Sequence, residues 1–218
     1  MTLVSERYSC SDPEELEAGL KAAVTATREG ALVVLPTDTV YGLGCDAFDP
    51  AAVRELLSVK GRGREMPPPV LISARTTMDA LAVAVPDAAR ELAEKFWPGP
   101  LTLICREQQS LQWDLGDTRG TVALRMPDHP VALSLLARTG PLAVSSANRT
   151  GMVAATTIEE AEDMLGESVD VYLDDGPASG AVPSTIVDVT APALRLLRPG
   201  ALSLDDLREV APDLVDED

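Results

Sequence analysis

The feature that most constrains the fold is the alternation of short apolar runs with segments of helical periodicity. The segment that starts at Asp12-Pro13 has an N-cap aspartate, a proline at the first helical position and apolar residues on one face. It is followed by ALVVL (31–35), which is apolar at every position and therefore suits a strand covered on both faces. Repetition of this pattern predicts an α/β fold with a mixed sheet and helices packed on it.

The same pattern continues along the chain. A second helix is expected from Asp49-Pro50 to Lys60-Gly61. Further helices are predicted at 77–83, 87–96, 130–138 and 158–165. Further strands are predicted at 70–73, 101–105, 121–125, 142–145, 171–173, 185–189 and 194–197.

Composition limits the function classes that the chain can serve. Its 218 residues include 18 Lys and Arg against 35 Asp and Glu, which gives a formal net charge of −17. Surfaces that bind nucleic acid are normally basic, so we expect tRNA binding to be weak or absent. Aromatic residues make up only 3%, which disfavours a stacking platform for single-stranded nucleic acid.

The cysteines and the apolar runs bear on the cellular compartment. Cys10, Cys45 and Cys105 are odd in number and widely spaced, which suits neither a disulfide framework nor a zinc site. The N-terminal segment has no signal-peptide pattern, and no apolar run approaches the roughly 18 residues of a membrane span. We therefore expect a cytoplasmic protein without a membrane partner.

The loop PTDTVYGLG (36–44) is the first candidate site. It leaves the strand ALVVL through Thr37, Asp38 and Thr39, and Tyr41 follows. Such hydroxyls can cap the loop's own backbone. They can also contact a ligand, because open α/β sheets bind ligands beyond the carboxyl ends of their strands. Both readings fit this stretch taken alone.

The second candidate is the sequence KGRGR (60–64), which places three cations in five residues of a strongly acidic chain. Glycines allow close approach of the backbone to a ligand, and arginine matches pairs of phosphate or carboxylate oxygens. Neither a Walker loop nor a GxGxxG fingerprint is present. The alternative is a solvated basic turn that pairs with surface acids.

Other polar residues stand at predicted strand boundaries. Arg125 ends an apolar strand and needs an anionic partner, for which a substrate carboxylate would serve. SSANRTG (145–151), STIVDV (184–189) and LRPG (197–200) follow the same principle. Trp97 is expected in the core, and His129, the sole histidine, is expected to open a helix. No catalytic triad or metal cluster is evident, so the chemistry should rest on positioning and charge stabilisation.

Taken together, the motifs resemble the threonylcarbamoyl-AMP synthase family, also called the YrdC/Sua5 family. The resemblance rests on PTDTVYGLG, the K-x-R element at 60–62, FWPGPLT (96–102), TVALRMPDHP (121–130), SSANRTG, STIVDV and LRPG. It implies a single-domain, YrdC-like twisted mixed sheet flanked by helices, with the catalytic domain at 11–205. It also implies condensation of L-threonine, bicarbonate and ATP to threonylcarbamoyl-AMP, which a tRNA threonylcarbamoyl transferase then uses to modify adenosine 37. Residues 206–218 are expected to form a short helix and a frayed acidic tail.

The resemblance also implies roles for individual residues. Lys60 and Arg62 would be catalytic and would bind ATP. The rest of the ATP site would comprise Arg64, Thr121, Ser145, Asn148 and Arg198. The threonine site would comprise Thr37, Thr39, Tyr41, Arg125 and Ser184. Mg²⁺ would accompany ATP without a dedicated protein cage.

The chain departs from the family pattern in two places. Gly63 stands where the family often has proline, and Ser73 stands where it usually has histidine. The chain resembles the short type without a second domain, so we expect the segment 60–69 to cover the site. A related carbamoyl-adenylate-forming enzyme, an RNA-binding module and a purely structural α/β protein remain as alternatives.

Overall fold

The computed structural model describes residues 5–178, 180 and 182–216. Within them the helices are α1 (Pro13–Arg28), α2 (Pro50–Lys60), α3 (Thr77–Leu81), α4 (Asp87–Phe96), α5 (Pro130–Thr139), α6 (Ile158–Leu165) and α7 (Leu204–Arg208). The strands are β1 (Glu6–Ser9), β2 (Val33–Leu35), β3 (Gly42–Asp46), β4 (Val70–Leu71), β5 (Ala82–Val83), β6 (Leu101–Glu107), β7 (Thr121–Arg125), β8 (Leu142–Ser146), β9 (Val171–Asp174), β10 (Thr185–Asp188), β11 (Arg195–Arg198) and β12 (Val215–Asp216).

All twelve strands belong to one mixed sheet, in the order β1-β9-β2-β3-β8-β4-β7-β6-β10-β11-β12, with β5 paired to β6. Antiparallel pairs such as β3 with β8 adjoin parallel pairs such as β4 with β7. None of the helices in these described ranges is long and apolar enough to cross a membrane. The mixed α/β sheet predicted from the sequence is confirmed.

Helices cover the two faces of the sheet unequally. Neighbouring residues of β2 point to opposite faces, so that Val33 and Leu35 join one apolar cluster and Val34 joins the other. The cluster that contains Val33 and Leu35 packs α1 and α5 against the half of the sheet formed by β1, β9, β2, β3, β8 and β4, and it includes Leu71 and Val144. The larger second cluster packs the remaining long helices on the opposite face.

Strand register shows what occupies the other half of the face under α1 and α5. Leu71 of β4 pairs with Arg125 of β7 in a parallel ladder. Leu103 of β6 pairs with Leu124 of β7 in an antiparallel ladder, so one further step along that register sets Thr102 opposite Arg125. Because paired residues of adjacent strands share a face, this face changes from apolar under α1 and α5 to polar beyond β4. The polar half is the part of the fold that carries the candidate site.

Three local predictions differ from the structure. The glycine-rich stretch 42–46, read as part of a loop, forms the central strand β3, because Val144 packs where a side chain on Gly42 would lie. The short polar strand β1 was not predicted, since an edge strand lacks an apolar alternation. The helix predicted at 77–83 ends at Leu81, and the chain turns into β5.

The C-terminal segment contradicts the expected frayed tail as far as Asp216. The short helix α7 is present, but the chain after it packs on the fold: Leu207, Ala211 and Leu214 are buried. Val215 and Asp216 add a parallel strand beside β11. In the sequence, these three apolar residues are scattered among acidic ones and are easily overlooked. Their burial attaches the segment to the fold.

Leu214→Ala should therefore destabilise the protein by about 2–4 kcal/mol, because it deletes a buried side chain that α7 and β11 enclose. The adjacent Val215 is 46% exposed, so Val215→Ala serves as a matched control and should change stability by less than about 0.5 kcal/mol. Urea unfolding of the two variants measures both values. Near-zero effects of both substitutions would show that the segment is frayed and does not pack on the fold.

Candidate active site

A pocket lies on the polar half of the sheet face. Its walls come from six strands (β3, β4, β6, β7, β8 and β11) and from the segments that lead into β3, β4 and β10 or follow α2. The lining residues are Thr37, Thr39, Val40, Tyr41, Gly42, Arg62, Pro69, Leu71, Thr102, Arg125, Val144, Ser145, Ser146, Pro183, Ser184 and Arg198. Three arginines thus approach one cavity whose lining combines hydroxyls with apolar side chains such as Leu71 and Val144.

Arg125 forms one end of the pocket and is almost fully buried. Its guanidinium donates to the Gly99 carbonyl (3.1 Å), the Thr39 hydroxyl (3.1 Å) and Asp38 Oδ1 (2.6 Å). Burial lowers the pKa of Arg125, and the Asp38 charge opposes that shift. The same Asp38 oxygen accepts the backbone N–H of Asp128, which fixes the carboxylate that orients the arginine.

The PTDTVYGLG loop both caps itself and lines the pocket. The Thr37 hydroxyl donates to the Val40 carbonyl (2.6 Å) and accepts the Thr39 N–H (3.2 Å), as the local-capping interpretation requires. Thr37 and Thr39 also face the cavity. The Tyr41 hydroxyl points elsewhere and donates to the Gly176 carbonyl (2.5 Å), although other atoms of Tyr41 line the pocket.

Arg62 and Ser145 form the opposite wall. Arg62 Nη1 donates to the Ser145 hydroxyl (2.9 Å), and its Nε donates to the Thr150 hydroxyl (3.1 Å). Arg62 retains exposed surface toward the cavity, and burial of the rest lowers its pKa. The structure therefore brings the second basic residue of KGRGR to the strand end at Ser145, as the resemblance implied.

Arg198 and Ser184 lie between these walls. Arg198 donates to the Ser184 carbonyl (2.6 Å) and to its hydroxyl (3.1 Å). The Ser184 hydroxyl also shares a 2.8 Å hydrogen bond with Thr102. Burial lowers the pKa of Arg198, and so do the charges of Arg125 and Arg62, which shows that the three guanidiniums lie within electrostatic reach of one another.

Four predicted site residues lie outside the lining. Lys60 and Asn148 are buried directly behind the Ser145 wall and are bonded to each other. Arg64 points to the surface, where it pairs with Asp114 and Asp117, as in the solvated-turn alternative. Thr121 starts β7, four residues before Arg125 and thus about 13 Å away along the strand.

Three further residues complete the comparison with the sequence. Thr102 lines the pocket although sequence reasoning gave it no role, and its signal was a hydroxyl between the apolar Leu101 and Leu103. His129 is the N-cap residue of α5, as expected, and its ring lies 3.2 Å from Asp175 rather than in the pocket. Ser73, the position of the family histidine, is not among the lining residues.

The segment between Lys60 and Pro69 touches the pocket at Arg62 and Pro69. Met66, between them, is exposed. The expectation that this segment covers the site stays a prediction.

The site has the character of a binding pocket for small anions, since three arginines line it and, in the part of the chain that the structure describes, no carboxylate does. The family model Sua5/YciO/YrdC, which bears the description "Telomere recombination", matches residues 25–200. The chain therefore belongs to the Sua5/YciO/YrdC family.

Similar proteins include one from Mycobacterium tuberculosis, provisionally named as a threonylcarbamoyl-AMP synthase, with 52% identity over 95% of each chain. The threonylcarbamoyl-AMP synthase of Pyrococcus abyssi is 37% identical over 89% of this chain and 58% of its own length. A crystal structure of P. abyssi Sua5 complexed with L-threonine superposes with a TM-score of 0.90 at 32% identity, covering 98% of this chain and 62% of that one. The proteins in this comparison are related along nearly all of the present chain.

Replacement of Lys60 should change how stability depends on pH. Burial first, and the charge of Arg62 second, lower the pKa of Lys60 from 10.5 to about 7. Between these values the unfolded chain binds more protons than the folded chain, so this group makes the free energy of unfolding rise with pH. Methionine cannot titrate, and the wild type should therefore gain stability relative to Lys60→Met from pH 7 to pH 9, by at most about 1.4 kcal/mol per pH unit.

Urea unfolding at fixed ionic strength measures this difference. Lys95→Met is the control for loss of a lysine side chain, because Lys95 lies at the surface beside Glu209. A flat difference for Lys60→Met would show that Lys60 titrates like an exposed lysine.

Proposed function

We propose that the protein is a nucleotidyltransferase that condenses L-threonine, bicarbonate and ATP to threonylcarbamoyl-AMP and pyrophosphate. The observation that carries the proposal is the convergence of Arg62, Arg125 and Arg198 on one pocket of a chain whose net charge is −17. The substrates bring a triphosphate and a carboxylate, which need such cations. The names of its relatives and the threonine complex of P. abyssi Sua5 support the same reading.

The end of the pocket at Arg125 suits the amino acid. Among the described residues, three of the five N–H groups of Arg125 have protein acceptors, which leaves two for a carboxylate. The hydroxyls of Thr37, Thr39 and Ser184 surround this end and can orient the rest of the substrate. The ordered Asp38 carboxylate holds the guanidinium in place before threonine arrives, so little reorganisation is needed on binding.

The wall formed by Arg62 and Ser145 suits the phosphates of ATP. In the proposed reaction, the amine of threonine takes up bicarbonate with loss of water and becomes a carbamate. A carbamate oxygen then attacks the α-phosphorus, and pyrophosphate leaves with the electrons of the broken P–O bond. Arg62, with Arg198 from the side, would stabilise the negative charge that develops on the phosphate oxygens.

Mg²⁺ would enter this pocket bound to ATP. Over residues 5–178, 180 and 182–216, no group of three or more His, Cys, Asp and Glu is placed to hold a metal ion. Mg²⁺ commonly keeps several waters and binds through substrate phosphates. We propose that it belongs to the nucleotide substrate rather than to a protein cage.

The product is a mixed anhydride, and we expect a separate tRNA threonylcarbamoyl transferase to consume it. The purified protein with ATP, threonine, bicarbonate and Mg²⁺ should release pyrophosphate and form a nucleotide adduct that contains the threonine carbons. Release should depend on both threonine and bicarbonate, which a coupled pyrophosphate assay measures. ATP turnover that is equally fast without threonine would contradict the proposed function.

Arg125→Ala should weaken threonine binding at least about tenfold, because its carboxylate loses a paired cation, a change of about 1.4 kcal/mol. Binding of ATP should change by less than about threefold, since Arg62 and Arg198 remain. Isothermal titration calorimetry with each substrate separates the two effects. Arg138→Ala is the control, because Arg138 pairs with Glu17 at the surface and neither affinity should change. Equal losses for the two substrates would argue against this role.

A further inference from the structure

We propose that Lys60 is a positioning residue that holds the turn at Ser145–Asn148 in shape, and that it does not contact the phosphates. The kinetic part of this inference rests on the proposed function, and its structural part does not. The family resemblance had placed Lys60 among the ATP contacts. The contacts of the side chain in the folded protein give it a different task.

The Lys60 side chain is closed off from the pocket. The residue is 1% exposed, and it is absent from the cavity lining that includes its neighbour Arg62. Its Nζ donates to the Ser146 carbonyl, to the Asn148 carbonyl (2.7 Å) and to Asn148 Oδ1 (3.2 Å). In its protonated form the amine has three N–H donors, and the two residues of one turn accept from all of them.

The chemical type of the Lys60 hydrogen-bond partners is as informative as the number of these partners. In the part of the chain that the structure describes, Lys60 has no carboxylate within salt-bridge distance. A buried ammonium is stable only when every N–H is bonded, and here neutral oxygens of a single turn provide all the bonds. A phosphate could recruit Nζ only by leaving those oxygens without donors in a buried place.

The turn that Lys60 holds is the one that presents the phosphate wall. The Lys60 carbonyl accepts the Thr150 N–H (2.9 Å), and Thr150 in turn accepts from Arg62 Nε. Arg62 Nη1 then reaches Ser145. Gly61 makes this arrangement possible, because its left-handed conformation (φ 67°) ends α2 and sends the two cations to opposite sides of the wall.

The first test uses the protein without any substrate. Lys60→Met should speed hydrogen exchange of the Thr150 amide at least about tenfold and shift the amide resonances of 146–148, because the turn loses its three donors. Lys95→Met, at a surface lysine, is the control and should leave them unchanged. If Lys60 instead serves the phosphates, exchange in the ligand-free protein stays at the wild-type rate and only ATP binding weakens.

The second test uses the wild-type protein and so does not depend on a variant that folds. The chain has three lysines, Lys21, Lys60 and Lys95, which makes the Nζ resonance of Lys60 simple to assign by lysine-selective ¹⁵N labelling. Addition of pyrophosphate, and then of Mg·ATP, should leave this resonance protected from solvent and without coupling to ³¹P. A new ³¹P coupling would overturn the proposal.

A kinetic cycle tests whether Lys60 acts through Ser145. The loss of kcat/KM for ATP in the double variant Lys60→Met/Ser145→Ala should be clearly smaller than the product of the two single losses, because both changes disturb one wall. Multiplicative losses would mean that the two residues contact the nucleotide independently. If the wild type releases no pyrophosphate, the proposed function has failed, while amide exchange and the Nζ resonance still report on Lys60.

Discussion

The structure depends on one constraint, the division of a single sheet face between core and site. Strand pairing fixes which residues share a face. The register that places Leu71 under α5 also places Arg125 next to Leu71, and Thr102 next to Arg125 on the following strand. The apolar half binds α1 and α5, and the polar half is left open as the floor of the pocket. Thr102, Arg125, Ser145 and Arg198 stand on strands of this sheet, so strand pairing holds their backbone in place.

Two buried cations next to this floor are stabilised in different ways. Arg125 pairs with the carboxylate of Asp38 and keeps donors for a ligand. Lys60 is surrounded by neutral oxygens of one turn and keeps none. The difference follows from geometry: a planar guanidinium can bond several groups at its rim and still present an edge to the cavity, whereas an ammonium with three fixed partners is closed. Identical charge therefore does not imply an identical task.

Much of the fold and part of the site could be predicted from the sequence. Apolar runs located the strands from β6 to β11, and polar residues at their ends located Arg125, Ser145, Ser184 and Arg198 in one pocket. Motif membership alone did not show that Arg64 and Thr121 lie outside the lining of the pocket, because a motif does not tell which residues of a strand or turn face the cavity. Strand β3 could not be predicted, because its glycines lack the apolar side chains typical of a strand. The side chain of Val144, which is distant in sequence, fills the space beside them.

The contrast between a cationic pocket and an acidic chain limits what can reach the site. At the pocket, Arg62 and Arg125 lie close enough to Arg198 for their charges to lower its pKa, so the three arginines make the local potential positive. At distances beyond a Debye length of about 8 Å the pocket charges are screened, and a large polyanion such as tRNA meets mainly the acidic surface of a chain that carries −17. A small, flexible anion can enter the pocket, whereas a nucleic acid would have to lay many phosphates against carboxylates. The same charge distribution therefore favours small anionic ligands over nucleic acid at this pocket.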